Sequence, residues 1–168
     1  MVEIVDRVES NGDTPVAAQL ELNFALRQKR QFSAKLRSGA EVSVHLPRGP
    51  VLRGGDRLLT SDGMLVEVIA APEALLQVEA SNPGELARMA YHLGNRHVAV
   101  EVGAGFLRIA EDAVLQQMLV GLGATVRRVV AAFEPEAGAY AFGHRHGEDN
   151  NRPGRIHEYN GGPATGSQ

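Results

Sequence analysis

Not one cysteine occurs in the 168 residues, which removes disulfides, thiolate metal ligands and cysteine nucleophiles together. Long apolar runs are missing as well, since no stretch approaches the ~20 residues of a membrane-spanning helix. The opening MVEIVDRVES carries charges where a secretory signal would need an apolar segment. The expectation is a soluble, cytoplasmic protein with no membrane partner. Aromatic rings are sparse where an RNA-binding sheet would need them: Phe106 is the only one between Val98 and Ile109, so no nucleic-acid partner is expected. Gly103-Ala104-Gly105 lacks the rest of a phosphate-binding or dinucleotide pattern. A zinc hydrolase could be drawn from His97 with Glu101 or Glu136, but no H-E-x-x-H or comparable spacing supports it. The chain reads as a non-enzyme.

What is present is a 43% hydrophobic content, enough for one or two small cores, and an uneven charge. Two small cores would each be marginal, so oligomerisation would help. Residues 27–57 hold eight basic residues against Glu41 and Asp56, a net +6, while the remainder holds nine basic against eighteen acidic. Such a patch either steers an acidic partner or is simply a solvated sheet face.

Residues 1–72 read as short strands. Val42, Val44 and Leu46 alternate with Glu41, Ser43 and His45, and Met64, Val66 and Val68 repeat the pattern. Turn signals lie at Ser38-Gly39, Pro47–Pro50, Gly54–Asp56 and Asp62-Gly63, so a small all-β sandwich or barrel is expected. His45 falls on the polar face as a plain surface residue. Ala74–Ala80 is strand-like, and a helix then opens with Asn82 as cap, Pro83 and Glu85, and ends at Gly94-Asn95. His97–Val102 and Gly105–Ala110 read as strands joined by a glycine turn. A second helix opens at Glu111 or Asp112, with Val114, Leu115, Met118, Leu119 and Leu122 on one face before Gly123. Ala124–Phe133 is a last strand. The class is α+β: an all-β domain over 1–72, a ferredoxin-like βαββαβ domain over 73–140, and a polar, flexible tail over 141–168.

Six histidines are the chemistry-bearing residues. His144 and His146 form an H-x-H pair whose alternate positions lie about 7 Å apart in an extended chain and face the same way. His157 is close enough to join them by looping back. His92 sits at the edge of the apolar helix face and reads as a packed residue. His97 is undecided on its own, because a single imidazole makes a poor site for a borderline ion.

Several motifs bear on that question. Tyr91–His97 (YHLGNRH), Leu107–Ile109 (LRI), Asp112–Leu119 (DAVLQQML), Leu122-Gly123 and Phe133–Tyr140 (FEPEAGAY) resemble the signature of the urease accessory nickel metallochaperones, the UreE family. Leu46–Leu58 (LPRGPVLRGGDRL) and Val66–Val78 (VEVIAAPEALLQV) are similar to that family's first domain. The likeness covers roughly residues 20–146. It implies a homodimer formed through the second domain, with the two copies of His97 side by side and tail histidines completing the metal shell, a role that His144 and His146 take from their position after GAYxxG. The implied cargo is Ni(II), with Zn(II) or Cu(II) also binding in vitro. Implied partners are the urease apoprotein and the urease accessory GTPase complex, contacted through the first domain, which the resemblance makes similar to a peptide-binding module. The tail lacks the long histidine run of many relatives, which favours delivery over storage. Glu111 and Ala113 stand where some relatives carry histidines, so a second, copper-favouring site is not expected. A non-metal scaffold bridging urease accessory proteins is the alternative reading.

Overall fold

The computed structural model describes residues 2–8 and 15–137, so His144, His146 and His157 lie outside the described residues. Strand alternation builds the first sheet from β1 (Val2–Val8), β2 (Ala18–Leu22), β3 (Gln31–Lys35), β4 (Glu41–His45), β5 (Arg57–Thr60) and β6 (Leu65–Ala70). The order is β2-β6-β5-β1-β4-β3, with β1/β4 and β2/β6 parallel and the other pairs antiparallel. Ile4, Val42, Val44, Leu58, Val66 and Val68 all turn to one side and form the core. Just past β3, the Arg37 N–H donates to the Gln19 carbonyl of β2 at 2.9 Å, tying one edge of the sheet to the other.

Two details depart from the expected pattern. Met64 does not join Val66 and Val68: it precedes β6, is 38% exposed, and closes the β5–β6 turn by accepting from the Thr60 N–H at 3.0 Å. A helical turn also interrupts the strands, α1 (Phe24–Arg27), where Asn23 Oδ1 accepts from the Leu26 N–H at 2.9 Å. Four residues are too few to show a helical period.

The second sheet comprises β7 (Pro72–Glu79), β8 (Glu101–Val102), β9 (Leu107–Ala110) and β10 (Thr125–Ala132), in the all-antiparallel order β10-β7-β9-β8. Helices α2 (Pro83–Gly94) and α3 (Ala113–Gly121) follow β7 and β9. Asn82 and Asp112 cap them by accepting from the N–H groups of Glu85 at 3.0 Å and Leu115 at 2.8 Å. Both pack on one face of the sheet around Leu76, Val78, Met89, Leu93, Ile109 and Leu119. Val114, expected on that apolar face, sits in the first turn of α3 and is 75% exposed. The strand expected over His97–Val102 is only the two residues of β8, because His97 and Val98 close α2 and the Val100 carbonyl accepts from the Glu136 N–H at 2.8 Å. On the other face, Gln77 and Arg127 hydrogen-bond Glu79 and hold its carboxyl below the usual carboxylate range.

The two sheets meet with little linker. Ala71 alone separates β6 from β7, and its N–H donates to the Leu22 carbonyl at 2.9 Å. The Phe24 ring meets the Phe133 ring edge-on, centroids 5.3 Å apart. Among the described residues no helix is long and apolar enough to cross a membrane.

Candidate metal centre

Both helices of the second unit end in the same way. At the end of α3, the Ala124 N–H reaches back to the Leu119 carbonyl at 3.0 Å and the Gly123 N–H to Val120 at 3.0 Å. At the end of α2, the Val98 N–H reaches Leu93 at 3.3 Å and the His97 N–H reaches Gly94 at 2.9 Å. This six-to-one and five-to-two closure requires a left-handed residue at its penultimate position. Gly123 meets that requirement at φ +93°. His97 meets it at φ +55° and is the one non-glycine with positive φ among the described residues. A side chain with a Cβ is disfavoured there by about 1–2 kcal/mol.

The closure makes His97 an exposed residue just beyond a helix whose flanking side chains, Leu93 and Val98, are anchored in the core cluster. It lines a groove of about 840 Å³ where the two units meet, with Pro50 and Val51 on one wall and Val98, Ala99 and Glu136 on the other. His92 is half-buried, with its ring edge-on to that of the exposed Tyr91 at 5.6 Å. His45 is exposed on β4, with Nδ1 3.5 Å from the Glu3 carboxylate of β1.

Among the described residues, no group of three or more His, Asp or Glu side chains could hold a metal ion. Of the four histidines expected to be ligands, His97 is described, and His144, His146 and His157 fall outside. Glu101, one of the carboxylates from which a hydrolase could be drawn, is engaged elsewhere. It pairs with Arg108 at 3.1 Å and accepts from the Glu134 N–H at 2.8 Å.

A residue that sequence reasoning missed stands at the junction. Arg27, which the charge count includes in the basic patch, is 1% exposed. Its guanidinium donates to the Leu52 carbonyl at 3.2 Å and to the Phe133 carbonyl, and pairs with Glu134 at 3.2 Å. Glu134 also takes Arg53 at 3.0 Å and the Gly54 N–H at 2.9 Å. The available signal was Glu134 itself, which lies in the FEPEAGAY segment and must find a cation if half-buried.

Fold and site together define a two-unit, mostly β protein that presents, among the described residues, one exposed imidazole where the units meet. Residues 1–71 match the N-terminal domain of the UreE urease accessory protein, and residues 73–160 match its C-terminal domain. The urease accessory protein UreE of Nitrosospira multiformis is 49% identical over 142 residues, covering 83% of this chain and 81% of that protein. Those of Ralstonia nicotianae and Paraburkholderia xenovorans are each 55% identical over 133 residues, covering 79% of this chain and 63% and 59% of their own lengths. The chain belongs to the UreE family of urease accessory proteins, and a place in urease maturation comes with that membership.

Proposed function

We propose that the chain carries nickel and hands it to apo-urease, working with the urease accessory GTPase complex, and that it catalyses no reaction itself. In this reading residues 73–140 are a ferredoxin-like metal-binding and dimerisation domain, a view supported by the strand-helix-strand-strand-helix-strand order and the β10-β7-β9-β8 sheet. Residues 1–72 serve as the partner-binding domain. A cytoplasmic two-fold dimer would place both His97 rings at its axis, since an isologous contact repeats the same residue. His144, His146 and His157 of the tail (141–168) would add further nitrogens. Zinc and copper would bind the same imidazoles in vitro, because nitrogen ligands do not by themselves exclude them.

The observation that carries the reading is the backbone of His97. The same helix closure uses glycine in α3, and a histidine in its place carries a backbone cost whatever its role, which supports a use for the side chain. The test is His97→Ala. Equilibrium dialysis with nickel, with protomers counted by light scattering, should show the shared ion lost and the dimer kept. In cells limited for nickel the variant should activate urease poorly, and added nickel should partly restore activation. Full activation by His97→Ala at limiting nickel would replace the carrier with a scaffold that bridges accessory proteins.

A further inference from the structure

The positive charge of residues 27–57 lies only in part on strands, at Lys35 and Arg57. Part of it gathers around a second groove, about 350 Å³, between the segment following α1 and the loop from Leu46 to Leu52. Lys29, Arg30 and Arg48 line it, are exposed, and form no ion pair or side-chain hydrogen bond among the described residues. This separates them from Arg7, which is also in the lining but is neutralised by Asp56 at 2.8 Å. Asp6 is the one acid in the lining, so the uncompensated charge is positive. Pro50 and Val51 give the groove apolar surface. Arg27 also lines it, and its buried Nε has no hydrogen-bond partner among the described residues. A buried donor left unused is costly, and groups of this kind are normally satisfied.

We propose that this groove docks an acidic, extended peptide segment of a partner protein. Carboxylates of the segment would meet Lys29, Arg30 and Arg48, and intervening apolar side chains would lie on Pro50 and Val51. A nucleic acid fits less well, since the lining offers no aromatic ring on which a base could stack. The inference rests on the reading of residues 1–72 as the partner-binding domain and not on the carrier reading, because the groove contains no histidine and its test uses no metal.

The probe is a fluorescein-labelled octapeptide alternating glutamate with valine, titrated with the full chain and read by fluorescence anisotropy. Reversing the groove charges (Lys29→Glu, Arg30→Glu, Arg48→Glu) should weaken binding at least about tenfold. A control triple outside the groove (Lys35→Glu, Arg88→Glu, Arg96→Glu) changes net charge equally and should stay within about threefold of wild type, since only long-range steering is altered. Circular dichroism checks that both triples fold, and the double Lys29→Ala, Arg48→Ala gives an intermediate loss with less perturbation. The glutamine version of the peptide should bind wild type at least about tenfold more weakly than the glutamate version. Four results would each overturn the proposal: no binding to wild type, equal losses in the two triples, equal binding of the glutamine peptide, or tighter binding of a single-stranded oligonucleotide of matched charge.

Discussion

At the scale of single residues, His97 separates what a backbone prefers from what a side chain is kept for. The left-handed conformation that closes α2 is easy for glycine and disfavoured for any residue with a Cβ. Replacing His97 with alanine removes the imidazole and keeps the backbone cost, whereas glycine removes both. His97→Gly should therefore be more stable than His97→Ala by about 1 kcal/mol, which for a chain of this size raises the melting temperature by roughly 2–4 °C. Both variants should lose the nickel proposed to sit there. Thermal melts of the two metal-free proteins, side by side, check the ordering. If alanine were the more stable of the two, the φ of His97 would carry no strain, and the argument from its backbone would fall.

At the scale of elements, the strand-turn hairpin of β8 and β9 depends on one close approach. The Gly103 N–H donates to the Phe106 carbonyl at 2.9 Å, and a Cβ at residue 103 would fall 2.1 Å from the Phe106 ring. That ring in turn lies under the Arg108 guanidinium at 4.5 Å. Gly103→Ala must turn the half-buried ring away, at a cost of about 0.5–1.5 kcal/mol for a side chain moved off its preferred rotamer. Chemical denaturation should show that loss, and a cost below about 0.5 kcal/mol would mean the ring moves freely. The sequence pointed to a glycine turn here without revealing the reason for the glycine, because the clash is with a residue three positions on. Elements with strong end signals were legible: Asn82-Pro83 and Asp112 open α2 and α3 where their caps predict. The single turn of α1 was not, having no period to read, and β8 was overdrawn because the apolar residues Val98 and Val100 pack in the core without joining a ladder. For the site, His97 stood out through a motif, but its left-handed backbone is a tertiary fact that no pattern of residue types encodes.

At the scale of the whole molecule, two separate hydrophobic cores are joined at a junction whose central group is a buried cation. Charge counting included Arg27 in the basic patch, and arginine is seldom fully buried. Its burial makes sense only once Phe133 and Glu134, more than a hundred residues later, are brought against it. The guanidinium bridges a carbonyl of the first unit, Leu52, and the carbonyl and carboxylate of the segment after β10. Arg27→Met keeps much of the side-chain volume and removes the charge. It leaves the Leu52 and Phe133 carbonyls without that donor, although Glu134 retains Arg53 and the Gly54 N–H. Glu134 is about one-third exposed, so the loss should fall below the 3–5 kcal/mol of a fully buried pair, at about 2–3 kcal/mol. Where that loss falls is the sharper expectation. Neither core contains Arg27, so the variant should weaken the coupling between units and leave each unit's packing in place. Calorimetry of the metal-free protein should show one cooperative transition for wild type, broadened or split into two for Arg27→Met. A variant that melts in a single transition at the wild-type temperature would show that the ring contact of Phe24 with Phe133 and the short β6–β7 connection suffice to join the units.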